Sequence, residues 1–438
     1  MAAVTTGRAR FPLPAAMIGG SVMKFAPLSL ADFKTFKARS GPVKLAYHSL
    51  ADPKYDNLFD KTIRDKFFKK YNDMDFCADT LFYKEFDDGS NEFYHAIFCQ
   101  DKFCPLCQEI LYRKNLKQLS DILIKIKDNK GCAFGPEFHK CGFSKDIKYI
   151  FGTLTIPNCS GFDLKDRIKF LGDSWIKLRK RLDRLDLPDP DPVSGYSNMF
   201  LGFYAILEVT YKYRWIEDGS KLVRRLEFHP HLHFIAAVPS GYSQRQKRYK
   251  EGDNIYVYYP YQLSQALLSA MWGDITGQIH DISKEPSYSG VFKRIIADPR
   301  CRGFVSDTVF PCGVVSLEST NKSLKDLSRE AVKQRKFDLM KDICDDDMLA
   351  DYVSKGICKL HYLDKDPIPL GYLSVGLAGV RIFRPSGVFR EELKRYKQAS
   401  DSEAAAGFSG SDLSEDLRHF ITLCYKYNHV SKDYDLQD

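Results

Sequence analysis

His229-Pro230-His231-Leu232-His233, continuing as Phe234-Ile235-Ala236-Ala237-Val238, puts three of the chain's ten histidines within five residues, directly ahead of an apolar run. Side chains two apart on a β-strand share a face, so a strand here lines up three imidazoles. Glu227 to Val238 (EFHPHLHFIAAV) and Gly202 to Tyr211 (GFYAILEVTY) both read as strands, and Asp218-Gly219 between them favours a tight turn. A hairpin centred on that dipeptide places Glu208 opposite His229 and diagonal to His231, on the imidazole face. The other face then carries Phe203, Leu207 and Val209 against Phe228, Leu232 and Phe234, a coherent core layer, unless a longer irregular loop shifts the register.

Two imidazoles and a carboxylate with open positions suit a divalent transition ion such as Mn²⁺, and hold Mg²⁺ less well because that ion prefers oxygen. The alternative is a row of strand-edge histidines that titrate near neutrality and bind nothing.

Outward from this hairpin, Tyr149 to Ile156 (YIFGTLTI) reads as a strand stopped by Pro157, and Leu164 to Leu185 as a basic helix carrying Lys177, Arg179, Lys180, Arg181 and Arg184. On the C-terminal side, Arg245 to Tyr261 interleaves basic and aromatic residues, either to track phosphates and stack bases or as an exposed loop with a buried strand. Helices are expected over about Gln262 to Trp272, Leu324 to Met340 and Asp345 to Lys359, the last with three acids at its start and Tyr352 on its surface. The element order is strand, helix, two strands, helix.

Towards the N-terminus, residues 75 to 145 hold six of the twelve cysteines, followed within that span by an amphipathic helix over Glu109 to Lys127. Cys99-x4-Cys104-x2-Cys107, with Cys77 upstream, offers four thiolates that could complete a structural tetrahedral zinc site. Cys132, Cys141 and His139 are rival ligands, and buried unligated thiols are the bland alternative. The resulting division is a mobile leader over 1–45, a cysteine-rich module with a helix over 46–145, a larger domain over 146–395, and a linker (Gln398 to Asp416 is small, polar and acidic) with a short final segment over 396–438.

At 438 residues and 44% hydrophobic content the chain can bury more than one core, which excludes wholesale disorder. An excess of 65 Lys and Arg over 57 Asp and Glu, +8 in all, permits a polyanionic partner without requiring one. Nothing approaches the roughly 18 consecutive apolar residues of a membrane span, so no membrane partner is expected. Twelve cysteines in so long a chain without a signal peptide point to a reducing, cytoplasmic setting rather than a disulfide framework.

HPHLHFIAAV resembles the His-hydrophobic-His strand of the HUH endonucleases, and specifically of the rolling-circle replication initiators of small bacterial plasmids. Phe151 to Ser160 (FGTLTIPNCS) is similar to that family's first strand motif, Ile206 to Tyr211 (ILEVTY) to the strand before the histidines, and Asp351 to Lys355 (DYVSK) to its tyrosine motif, in the family's order. With the cysteine cluster and Arg113-Lys114, the resemblance runs from about Cys77 to Lys359. It implies an α+β fold, a split ferredoxin-like antiparallel sheet with helices on one face, preceded by the cysteine-rich zinc-type module. It further implies that His231 and His233 are metal ligands with Glu208 as the third, that Tyr352 is the nucleophile, and that Lys355 sits beside it on the same helical face. His229 is the weaker ligand candidate, because the ligating pair flanks one hydrophobic residue, here Leu232.

The activity so implied is metal-dependent nicking of one DNA strand at a plasmid or small-phage origin, through a 5′-phosphotyrosyl intermediate that leaves a 3′-hydroxyl primer. The partners implied are single-stranded and origin DNA and host replication proteins such as a helicase and a polymerase. The sequence departs from the pattern at Met348, where an acid is often found one turn before the tyrosine; Asp347, Asp351 and a second tyrosine such as Tyr362 leave the terminating group open. Two alternatives remain: a transposase or relaxase of the same superfamily, and a zinc-stabilised DNA-binding protein that does not cut.

Overall fold

The computed structural model describes residues 28–128, 147–184, 200–218, 221–238, 247–258, 263–281, 293, 297–305, 309–311, 315–319, 366–406 and 420–437. The helices expected over Leu324 to Met340 and Asp345 to Lys359 lie outside these residues, and with them Tyr352, Lys355, Asp347, Met348, Asp351 and Tyr362; Cys132, His139 and Cys141 do too.

The chain begins with α1 (Leu30–Leu50) and α2 (Lys61–Asp75), then β1 (Thr80–Phe86), β2 (Asn91–Ala96) and α3 (Pro105–Asp128). Residues 28–45, expected to be loosely packed, are instead mostly helix, and Phe33, Val43, Ala46, Tyr47 and Leu50 are buried on one side of α1. Gly41-Pro42 in its middle disguises the helix in the sequence, since an internal proline removes an N–H and usually ends the pattern. The Ser29–Asp32 capping box fixes its start, and burial of that face outweighs the proline.

Next come β3 (Lys148–Thr155), α4 (Leu164–Leu182), β4 (Gly202–Asp218), β5 (Lys221–Val238), the hairpin β6 (Lys247–Glu251) and β7 (Asn254–Tyr258), α5 (Gln265–Thr276), and the short strands β8 (Ile279–Asp281), β9 (Val309–Pro311) and β10 (Val315–Ser319). The described chain closes with α6 (Ile368–Gly376), β11 (Phe383–Gly387), α7 (Val388–Ala406), β12 (Phe420–Asn428) and β13 (Asp433–Gln437). Helix α7 occupies the first part of the stretch read from sequence as a linker.

Two antiparallel sheets organise these elements. The central sheet runs β10-β3-β5-β4-β11, with the histidine strand in the middle. The second runs β13-β12-β1-β2, so the last strands of the chain pair with the first.

The β4–β5 hairpin has the expected faces but another register. Asp218 pairs with Lys221, so Glu208 stands opposite His231 rather than His229. The pairing is centred one residue further along than Asp218-Gly219, which moves every partner by two positions; because side chains alternate with a period of two, each keeps its face. Phe203, Leu207, Val209, Phe228, Leu232 and Phe234 are all buried as one layer.

Trp175 of α4 packs on Phe203 and Phe234 in this layer, at ring-centroid distances of 5.5 Å each. Trp272 of α5 donates its indole N–H to the Thr155 carbonyl at 2.6 Å. Helices also cover part of the opposite face, a correction to the one-sided arrangement: Phe389 of α7 lies against Tyr149 and Tyr204, and the Tyr149 hydroxyl donates to the Leu123 carbonyl of α3. The reason is that the imidazole face is polar only at one end. Towards the other end it carries Tyr149, Phe151, Tyr204, Ile206 and Ile235, whose apolar surface needs cover.

Gly152 on β3 shows how tightly the core layer is built. A β-carbon there would lie 2.3 Å from the Phe234 ring, which is itself held by Trp175 and Phe203. Gly152→Ala is expected to destabilise the protein by about 3 kcal/mol, the upper end for overpacking, as read by chemical denaturation. A midpoint equal to that of the unaltered protein would contradict this packing.

Candidate functional site

The carboxylate of Glu208 comes from β4 and the two imidazoles of His231 and His233 from β5. A single Glu208 oxygen, Oε2, lies 3.0 Å from Nε2 of His231 and 2.9 Å from Nε2 of His233. His231 and His233 are each only 9% exposed, whereas Glu208 keeps one side open to solvent. The Phe151 ring stacks on His233 at 5.6 Å, and the two imidazoles meet edge to face at 4.9 Å.

The far ring nitrogens fix the orientation of both imidazoles. Nδ1 of His231 lies 3.1 Å from the His229 carbonyl and Nδ1 of His233 lies 3.0 Å from the Thr153 hydroxyl. A carbonyl only accepts, so Nδ1 of His231 carries the proton, and in the neutral ring Nε2 presents a lone pair. That lone pair faces a carboxylate oxygen at 3.0 Å, which is repulsive unless a proton or a cation lies between them. Burial acts to raise the Glu208 carboxyl, but hydrogen bonds from the two histidines and their charge outweigh it and hold it at about 2. The donor set fits a cation well: adjacent ligands of an octahedral ion with bonds of about 2.1 Å lie roughly 3.0 Å apart.

His229 does not touch Glu208. Its pKa is lowered by burial first, then by His231, Lys212 and Arg214, the last two being cations further out on the same face. The register explains its exclusion, since Glu208 faces His231 directly and reaches diagonally to His233.

The second cluster is the cysteine set. Cys77 follows α2, Cys99 and Cys104 lie between β2 and α3, and Cys107 is in the first turn of α3. Sulfur–sulfur distances are 3.6 Å for Cys77–Cys107, 3.5 Å for Cys99–Cys107 and 3.8 Å for Cys77–Cys104, and none of the four forms a disulfide. A tetrahedron with zinc–sulfur bonds of about 2.3 Å has edges of roughly 3.8 Å, so the four sulfurs have the spacing of a zinc site.

The backbone is shaped to match. Ala78 and Gln100, each directly after a cysteine, have positive φ of 54° and 58°, a cost that non-glycine residues carry only where the surroundings enforce it. The Cys99 amide donates to Cys77 Sγ at 3.4 Å. Hydrogen bonds from its neighbours, Cys107 foremost, drive the Cys104 thiol far down, while the hydrogen bond to Cys104, with burial behind it, pushes Cys99 and Cys107 up.

Between Cys99 and Cys104 the loop grips the rest of the protein. Asp101 accepts from the Tyr47 hydroxyl at 3.2 Å and pairs with Lys70 at 2.7 Å, and Lys70 reaches Ser374 of α6 at 2.8 Å. Lys102 donates to the Leu377 carbonyl at 2.7 Å. Neither this polar network nor the second sheet gave a signal in the sequence, because Lys70–Ser374, Lys102–Leu377 and the β1–β12 pairing each join residues hundreds of positions apart.

Of the residues singled out from sequence, Glu208, His231 and His233 come together, as do Cys77, Cys99, Cys104 and Cys107. Tyr352 and Lys355 lie outside the described residues.

Residues 90–255, which include Cys99, Cys104, Cys107, Glu208, His231 and His233, match the family model described as Replication protein (Rep_1). The particular relatives each bear the name "Protein rep". One from Streptococcus pneumoniae is 28% identical over 38% of this chain and 41% of its own length, and one from Staphylococcus aureus is 26% identical over 48% of this chain and 74% of its own. A third, from Lentilactobacillus hilgardii, is 26% identical over 42% of this chain and 46% of its own. The chain thus spans less than half the length of two of these relatives. The resemblance to plasmid replication initiators is shown over residues 90–255, which include the first strand motif, the Glu208 strand and the histidine strand; the tyrosine motif at Asp351 to Lys355 lies outside them. No solved structure matches the chain. Among the described residues, no helix is long and apolar enough to cross a membrane.

Proposed function

We propose that the protein is a replication initiator that nicks one DNA strand at an origin and stays covalently attached to its 5′ end. The observation that carries this is Glu208 touching both imidazoles of a His-Leu-His strand, within a stretch similar to replication proteins.

Glu208, His231 and His233 would hold Mn²⁺ or Mg²⁺, which supplies charge stabilisation to a scissile phosphate that becomes more negative in the transition state. Phe151 and Thr153 keep His233 in its ligating orientation, and the His229 carbonyl does the same for His231. The Tyr352 phenol would give its proton to solvent water and attack phosphorus. The new bond is Tyr352 Oη–P, and the bond that breaks is P–O3′. The departing oxygen takes a proton and becomes a free 3′-hydroxyl able to prime synthesis. Lys355, three residues on and so on the same face of the helix expected there from sequence, would offer its ammonium to the phenolate or the phosphate. The four cysteines would hold a structural Zn²⁺, and origin DNA with host helicase and polymerase would be the partners in a bacterial cytoplasm. The central antiparallel sheet, with its histidine-bearing middle strand, is in keeping with the HUH endonuclease architecture.

The test is incubation with single-stranded origin oligonucleotides and Mn²⁺. A denaturation-resistant protein–DNA adduct is expected, absent in Tyr352→Phe and absent after chelation. An adduct that persists in Tyr352→Phe would remove Tyr352 from its role, and no adduct with any origin strand would favour a binding protein that does not cut.

A further inference from the structure

The hairpin that carries the metal-site residues does not end at the sheet. Beyond Tyr211 and Phe228, the latter bridged to Cys159, β4 and β5 pair only with each other among the described residues, from Lys212↔Glu227 out to Asp218↔Lys221. Seven residues at about 3.3 Å each make an arm roughly 20 Å long. We infer that this two-stranded arm binds double-stranded DNA beside the Glu208–His231–His233 site, its basic face lying on the phosphate backbone; the inference rests on the DNA-nicking function proposed above.

The period-two alternation decides what each face presents. The face of Glu208 and His231 continues outward as Lys212, Arg214 and Ile216 on β4 and as Arg225, Val223 and Lys221 on β5. All four cations are exposed. Two acids share this face: Glu227, at the base of the arm, is already held by Arg214 at 3.3 Å and by the Asn158 amide at 2.8 Å, and Asp218 stands opposite Lys221 at the tip. Four cations against two acids leave the face net positive, and it leads directly to the candidate metal site.

The opposite face has a different character. It carries Tyr213, Trp215 and Leu222, with the Arg224 guanidinium 3.9 Å over the Tyr213 ring and the Tyr213 hydroxyl bonded to Asp366. Proteins that hold single strands set aromatic rings among their cations so that bases can stack. Here Lys212, Arg214, Lys221 and Arg225 lie on the face away from the rings, and Arg224 is held against Tyr213, so the basic face offers contacts to phosphates and no aromatic platform for unstacked bases. A two-stranded ribbon also has the width that a major groove of about 12 Å admits. Lys212 lies four residues from Glu208, roughly 13 Å along the strand, which puts duplex contacts just outside the reaction site.

The experiment measures binding of the full chain, in metal-free buffer over a range of salt concentrations, to a fluorescent duplex and to one of its single strands. The combined variant Lys212→Gln, Lys221→Gln, Arg225→Gln leaves the Arg214–Glu227 pair intact and alters only exposed side chains. Its duplex affinity is expected to fall by about tenfold or more at low salt, and the slope of log affinity against log salt to drop by about 2 to 3. Single-strand affinity is expected to fall far less. Arg225→Lys, which keeps the charge, should retain the slope. Unchanged duplex affinity and slope in the combined variant would overturn the arm, as would an equal loss for the single strand. Wild-type protein that binds duplex through these residues yet forms no Tyr352 adduct would keep the arm and overturn the nicking function instead.

Discussion

His233→Ala is expected to reduce strand cleavage by about a thousandfold, and His231→Ala and Glu208→Ala by similar factors. Nε2 of each imidazole lies within 3.0 Å of one Glu208 oxygen, and each of the three side chains would supply a ligand that the others cannot replace. Glu208→Gln separates charge from shape: it keeps the side-chain volume but removes the anion that balances the cation, so it should be nearly as inactive as Glu208→Ala. The internal control is His229→Ala. Its ring makes no contact with Glu208, and the backbone carbonyl that orients His231 survives the substitution, so cleavage should fall by less than about tenfold. Cleavage of a single-stranded oligonucleotide in Mn²⁺, with thermal unfolding alongside, reads all five variants. Equal losses at His229 and His233 would mean that the whole strand, not the Glu208 triad, matters.

Removal of zinc, or Cys104→Ala, is expected to unfold the N-terminal module. Sulfurs 3.5–3.8 Å apart without disulfides repel once ionised, and only a cation lets four thiolates share so small a space. The module's cost should be large, at least about 5 kcal/mol, because structural zinc binding supplies much of the folding free energy of such elements. It should also spread. Asp101 and Lys102 lie inside the ligand loop and anchor Tyr47, Lys70 and α6, so α1, α2 and α6 lose their shared polar contact when the loop opens. Elemental analysis of the purified chain should find one zinc per chain, none in Cys104→Ala, and a lowered unfolding midpoint after chelation. A zinc-free protein indifferent to chelators would leave the cysteines as ordinary buried thiols.

Much of the central sheet was legible in the residues because alternation is a strong signal. Glu208, His231 and His233 fell on one face and the six core residues on the other, and a two-residue error in register could not disturb that division. The register itself was not legible: it depends on which two residues make the turn, and Asp218-Gly219 is as good a turn sequence as the adjoining pair. The cysteines were legible through close spacing, although Cys77 is joined to the rest only by the fold. Helix α1 was hidden by Gly41-Pro42. The second sheet was hidden by distance, since β1 finds its partner β12 across the length of the chain. Cover on the imidazole face was missed because Tyr149, Tyr204 and Ile235 were read as strand formers and not as a second apolar surface.

The pairing of β1 with β12 has a consequence for synthesis. Thr80 to Phe86 emerge from the ribosome roughly 340 residues before their partners, Phe420 to Lys426, which at about 5–20 residues per second is a delay of tens of seconds. Throughout that interval β1 has one edge without its native neighbour, open to pairing with another nascent chain. Slow translation should therefore lower the yield of active protein, and a helper that shields extended segments, or a supplied Phe420–Gln437 peptide, should restore it.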